Sequence, residues 1–245
     1  MRKMRFLAVV LIAVLGIAAA AYAQTNSYDF TGSVPKGGTK AKPKPTGFTF
    51  NYTIADPAGN LPKVVKAYKF TIQGSKVTTS AAKKTCTAAS INAATNASGC
   101  SAQAIVGTGS VHADIGTSGQ PKSASCDLKL TAYAGGPNKV ALFLDGTAAG
   151  ACVAPISQAI DATWTNTSAG AGLSFTVPQE LRHQLGLDVA VTSVKSTWKK
   201  ITKKTGSKTV GYFSGTGCKG KRSATVVFTA EDDTTTPLTK EIGSC

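Results

Sequence analysis

The chain has 245 residues with 27 Lys and Arg against 12 Asp and Glu, a formal net charge of +15. Six cysteines, two histidines and no Cys-x-x-Cys pair exclude a recognisable zinc finger or a thioredoxin-type redox site. Nothing in the composition names an activity.

The N-terminus is the most informative segment. Arg2, Lys3 and Arg5 precede an apolar run from Phe6 to Ala21, and Ala21-Tyr22-Ala23 supplies small residues at a cleavage site. This reads as a secretory signal peptide over residues 1–23. The run of about 16 residues is short against the roughly 20 a bilayer span needs. Removing the three N-terminal cations leaves +12 on Gln24–Cys245, and no later stretch is apolar for long enough to cross a membrane. The expected location is extracellular or in the cell envelope.

Residues 24–46 are rich in Lys, Pro, Gly and Thr and read as a flexible basic leader, with a short strand at most over Tyr28–Phe30. One domain is expected over residues 47–245. In FTFNYTI, Phe48, Phe50, Tyr52 and Ile54 share one face and Thr49, Asn51 and Thr53 the other, the period of a half-buried strand. YKFTI (Tyr68, Phe70, Ile72), CDLKLTA (Cys126, Leu128, Leu130), LSFTV (Leu173, Phe175, Val177) and ATVVFTA (Ala224, Val226, Phe228, Ala230) repeat the pattern. KVALFLDG is apolar on both faces, as a central strand would be. In Val189, Val191, Val194 and Trp198 the apolar parity changes, which a bulge near Thr192–Ser193 reconciles. Glycines in VGTGS (Val106–Ser110) indicate a bulge or a close backbone approach.

Turn signals at Asp56–Gly59, Gly135–Asn138, Asp145-Gly146 and Thr205-Gly206 separate these runs. The sum predicts an all-β, antiparallel sandwich of about eight to eleven strands. Two short helices are expected, Ala88–Ala94 and Gln179–Leu185, the second between Pro178 and Gly186.

An even set of cysteines in an exported chain reads as disulfides, because that compartment is oxidising. Sequential pairing is expected: Cys86–Cys100, Cys126–Cys152 and Cys218–Cys245. Each closes a loop of about 15 to 28 residues and stabilises by about 3 to 3.5 kcal/mol in the chain-entropy treatment.

KTCTAASI, the following Gly-Cys at Gly99-Cys100, AIVGTGSVHA and the ending Gly-Cys…ATVVFTAEDD…Gly-Ser-Cys resemble uncharacterised secreted β-sandwich proteins of Gram-positive soil bacteria. The similarity covers residues 46–245. It departs at Cys100, which Ser101 follows where relatives carry Pro. The resemblance implies a fold and a location, and brings no catalytic residue with it.

Charge supplies the leading functional expectation. From Lys195 to Arg222 there are cations and no acid, and Lys36, Lys40, Lys42 and Lys44 add to them. Lys199, Lys200, Lys203, Lys204, Lys208, Lys219, Lys221 and Arg222 are candidates for contact with an anionic wall polymer or polysaccharide. The competing interpretation is a lysine-decorated strand edge that prevents aggregation. Arg is scarce and the aromatics do not interleave with the cations, which argues against nucleic acid. One alternative is a secreted hydrolase using Asp188 with Asp232 or Asp233; another is a lipid or small-ligand carrier with a hollow apolar interior. His112 and His183 read as surface residues, and no metal or cofactor is implied.

Overall fold

The computed structural model describes residues 25–245; the segment read as a signal peptide, residues 1–23, lies outside them. The strands are β1 (Ser27–Ser33), β2 (Lys44–Pro45), β3 (Phe48–Ala55), β4 (Val65–Gln73), β5 (Ser75–Val77), β6 (Ile105–Gly116), β7 (Ala124–Gly136), β8 (Lys139–Asp145), β9 (Ser157–Thr167), β10 (Gly170–Thr176), β11 (His183–Gln184), β12 (Leu187–Trp198), β13 (Thr202–Thr205), β14 (Lys208–Gly211), β15 (Phe213–Gly215), β16 (Lys221–Ala230) and β17 (Thr235–Ser244). The helices are α1 (Ala88–Ala94) and α2 (Gln179–Arg182).

The all-β antiparallel class and the three disulfides are as the sequence indicates. The layering differs. One twelve-stranded sheet runs β1-β3-β12-β6-β7-β8-β9-β10-β4-β16-β17, with β11 appended to β12. It curls until its edges meet: the Val34 N–H donates to the Ile242 carbonyl at 3.4 Å, and Lys240 pairs with Asp29. The result is a nearly closed barrel in place of two stacked sheets. Every neighbour pair on this path is antiparallel. Eleven alternating strands leave β1 and β17 running the same way, so the antiparallel ladder cannot continue across the seam.

Alternation holds wherever the sequence placed it. In β3 the burial pattern puts Phe48, Phe50, Tyr52 and Ile54 inside. The expected bulge in β12 is present, as a register shift against β6 between Val191 and Ser193. Close approach explains the glycines of β6: a Cβ on Gly109 would lie 2.0 Å from the Lys195 carbonyl oxygen.

The doubly apolar β8 is explained by α1, which covers the outer wall. Ile91, 1% exposed, packs with Tyr133, Ala141 and Phe143. Thr87 caps the helix by accepting from the Ser90 N–H at 3.1 Å. The Asn92 amide then clamps β9, donating to the Ala159 carbonyl at 3.0 Å and accepting from its N–H at 2.7 Å. Cys86–Cys100 closes the loop that carries α1.

Two expectations are corrected. The leader is not a free basic tail: β1 pairs along its length with β3, and Phe30 (1% exposed) and Val34 (2%) anchor it in the core. Two apolar side chains among many Lys, Pro and Gly suffice, because β3 offers an open edge. The second helix ends at Arg182, not Leu185. His183 and Gln184 instead pair with Asp188 and Leu187 around a tight turn in which Leu185 (φ 52°) and Gly186 (φ 78°) are both left-handed.

A small sheet, β2-β15-β5, closes one end of the barrel. Beneath it lie Tyr212 and Phe213, each 1% exposed, and the Trp164 indole N–H donates to the Tyr212 hydroxyl at 3.2 Å. Among the described residues no helix is long and apolar enough to cross a membrane.

Candidate functional site at the basic end of the barrel

Strict alternation fixes which loops share an end. At the end closed by β2-β15-β5, strands β1, β4, β7, β9, β12 and β17 finish, while β3, β6, β8, β10 and β16 begin. The β13–β14 hairpin projects there, with Gly206 at its turn (φ 59°). Lys199 and Lys200 follow β12, Lys203, Lys204 and Lys208 line the hairpin, and Lys219 and Lys221 lead into β16; all seven are exposed. The Lys203 ammonium donates to the Ser80 carbonyl at 3.3 Å.

The fold adds cations distant in sequence. Lys36, Lys40, Lys42 and Lys44 arrive between β1 and β3, and Lys76, Lys83 and Lys84 between β4 and α1, all exposed. Of the acids, Glu241 lies near this end and is paired with Lys221 at 2.7 Å. Asp56, Asp145, Asp188 and the Glu231–Asp233 run sit at the opposite end, in loops or at strand termini. The charge is therefore sorted between the two ends.

Arg222 is the exception to the expected set. It is fully buried, so it presents no charge to a polymer. Its parity explains this: Arg222 shares the inward face of β16 with Ala224, Val226 and Phe228. The guanidinium lies under Gly37 and Gly215, where a Cβ on either glycine would approach Nη2 to 3.2 and 3.6 Å. None of its three nitrogens has a hydrogen-bond partner among the described residues, and desolvation pulls its pKa down.

On the flank of this end lies a groove of about 700 Å³, lined by Lys40, Lys76 and Lys219 together with hydroxyl and amide side chains, and by no carboxylate. Its floor is a near contact of two glycines. Gly74 (φ 59°) and Gly217 (φ 77°) come so close that a Cβ on Gly74 would lie 2.5 Å from the Gly217 carbonyl oxygen. The Thr216 N–H donates to the Gly74 carbonyl at 2.7 Å, and Cys218–Cys245 ties the same segment to the C-terminus. Lys76 and Lys219 are thereby held on either side of a rigid floor. The wall is equally fixed, since the Asn166 amide clamps both backbone groups of Val77 at 2.9 Å. Lys76 was not singled out from the sequence; the only local signal was Gln73-Gly74, a turn that reverses the chain beside a lysine.

Chemically, three ammonium groups on a polar, aromatic-free surface favour a flexible anionic chain bearing hydroxyls. Ammonium is a point charge that tolerates varied anion geometry, whereas bidentate recognition needs Arg. Bases have no ring to stack on here.

The carboxylates proposed for hydrolysis are each engaged by other groups. Asp188 contacts His183 Nδ1 at 3.0 Å and the Ser118 N–H at 3.2 Å, while Asp232 and Asp233 pair with Lys63 (2.9 Å) and Lys66 (2.6 Å). Glu231 takes the other ring nitrogen of His183 at 2.7 Å and also pairs with Arg182, so that imidazole is fixed from both sides. His112 bridges Asp127 (2.6 Å) and Asp114 (3.3 Å) on the outer wall. Among the described residues no group of three or more His, Cys, Asp or Glu side chains is placed to hold a metal ion. Comparison of the chain with protein-family models, curated proteins and solved structures returns no match.

Proposed function

We propose that this chain is a secreted, non-enzymatic module that binds an anionic polymer of the cell envelope or its surroundings, such as a polyol phosphate or a uronate-containing polysaccharide. The signal-like N-terminus and three disulfides support an oxidising, extracytoplasmic location. The observation that carries the reading is the groove holding Lys40, Lys76 and Lys219 without a carboxylate, on the end of the barrel where the exposed lysines gather. The groove gives register to the bound chain, and the surrounding hairpin lysines raise the rate of encounter.

The test is elution from polyglycerol-phosphate and polyuronate resins in a salt gradient. The wild type is expected to elute well after a neutral protein of the same size. K40A/K76A/K219A should lose at least tenfold in affinity at about 0.15 M salt. K199A/K200A/K203A/K204A should mainly slow association. Co-elution of the wild type with the neutral control, or a groove variant that binds undiminished, overturns the proposal.

A further inference from the structure

The lysine groove has a continuation. Farther along the same wall lies a second depression of about 400 Å³, bordered by Lys69, Asp161, Thr163, Ser174 and Thr229. Three strands contribute to both hollows in sequence along one outer face. On β4, Gln73 and Thr71 line the groove, and Lys69 the depression. On β10, Gly170 lines the groove and Ser174 the depression; on β9, Thr167 and Thr163 do the same. Lys69 stands four residues from Gln73, which is about 13 Å along a strand.

The register makes the two hollows one trough. Thr71 pairs with Gly172 and Gly172 with Thr165, while Lys69 pairs with Ser174 and Ser174 with Thr163. β10 therefore shows only Gly170, Gly172 and Ser174 between the taller side chains of β4 and β9. A Cβ on Gly172 would lie 2.8 Å from Thr165 Oγ1 and 3.8 Å from Thr71 Oγ1, so both hydroxyls border the same gap. The acid on this stretch, Asp161, is taken by the Lys139 ammonium at 2.9 Å, which also donates to the Thr163 hydroxyl at 3.1 Å. Lys69 is exposed and has no carboxylate partner among the described residues. Small residues alone name no ligand. Here they join a cationic groove to a separate, unpaired ammonium.

We infer that the polymer site is a track: a bound chain leaves the groove, lies over Gly170 and Gly172, and sets a further anionic group on Lys69. The inference rests on the groove being a polymer site and adds the form of the ligand. Between the two cationic points the trough offers hydroxyls and no charge. Hydroxyls both donate to and accept from the hydroxyls of a sugar or polyol. The class that matches is an extended polysaccharide whose anionic units are separated by neutral, hydroxyl-bearing ones. Engaging Lys69 as well as the groove makes the second contact intramolecular, so affinity should rise with chain length.

The experiment titrates the full-length mature protein with oligosaccharides of alternating uronate and neutral sugar, one a disaccharide and one a dodecasaccharide. Calorimetry and NMR shifts read the affinities at one fixed salt concentration. The disaccharide carries a single carboxylate and fills only the groove; the dodecasaccharide spans the track. K69A should weaken the dodecasaccharide about fivefold and leave the disaccharide unchanged. T71V/T165V, which keeps the branched shape of both side chains, should show the same split, with thermal unfolding as the check on folding. K129A, which removes an equal charge from the outer face of β7, should affect neither ligand. A K69A variant that binds the dodecasaccharide as the wild type does, while K40A/K76A/K219A loses it, overturns the track and leaves the groove standing. Undiminished binding of both ligands by K40A/K76A/K219A overturns the groove, and the track with it.

Discussion

Arg222→Met tests the structure most sharply, because the expected sign is unusual. Core substitutions ordinarily destabilise. Here the wild-type side chain is fully buried and presents five N–H donors from three nitrogens, none with a partner among the described residues. Leaving such donors unsatisfied costs about 1–3 kcal/mol, more for a charged group. Replacing even paired buried ions by apolar residues of similar volume stabilises by about 1–4 kcal/mol in favourable cases. Methionine is unbranched and close to Arg in volume though shorter, and costs about 1.5 kcal/mol or less in imperfect packing. A net gain of about 2 kcal/mol is expected, which for a domain of this size raises Tm by about 4–8 °C. Differential scanning calorimetry with the disulfides intact measures it. The variant should also elute from the polyanion resins at the wild-type salt concentration, since a buried cation touches no polymer. A fall in Tm of several degrees would refute the reasoning, because the guanidinium would then be held by groups that satisfy it.

Two further outcomes are expected. C86A/C100A opens a loop with a sequence separation of 14 and should cost about 3 kcal/mol, or about 6–12 °C in Tm, with the largest rise in hydrogen exchange at Ala88–Ala94 and unchanged resin elution; an unaltered Tm would mean that the Ile91 and Asn92 contacts alone hold the helix. Gly109→Ala forces β6 away from β12 and should destabilise by at least about 3 kcal/mol, whereas Gly99→Ala, with nothing within 4 Å, should stay within about 0.5 kcal/mol; denaturant unfolding that finds the two alike would contradict the packing of these strands.

What could be read from the sequence was local. The inward faces of Phe48–Ile54 and Ala224–Ala230 follow from period two, the bulge near Thr192 from a change of parity, and α1 from its cysteine-bounded loop. The sequential disulfides also follow, since short loops between antiparallel neighbours bring their ends together. Closure of the sheet was out of reach. It depends on β4 entering between β10 and β16, strands about 100 and 150 residues away, and turn chemistry specifies only the pairing of sequential neighbours. The burial of Arg222 was legible and overlooked: extending the alternation of Ala224, Val226 and Phe228 by one step places it inside. The groove was not legible, because Lys40, Lys76 and Lys219 become neighbours only through the barrel and its closing sheet.

The placement of the lysines bears on whether the charge serves solubility or binding. A device against edge-to-edge aggregation belongs on unpaired strand edges. Lys203, Lys204 and Lys208 do sit on the edges of the small β13-β14 sheet, and Lys44 and Lys76 on the edge strands of β2-β15-β5. However, Lys36, Lys40, Lys42, Lys199, Lys200 and Lys219 lie outside strands altogether, and the long edges β1 and β17 meet at a seam carrying one Asp–Lys pair. The lysine clusters of the leader and of residues 199–221 are more than 150 residues apart, yet the alternation of strands delivers both to one end, leaving most carboxylates at the other. General solubility is served by charge of either sign spread over the surface and gains nothing from such sorting, which concentrates a positive field and costs self-repulsion. The cost is recovered only when a polyanion lies across that end. Polymer binding should therefore raise Tm at low salt, and the rise should vanish as ionic strength screens the lysines.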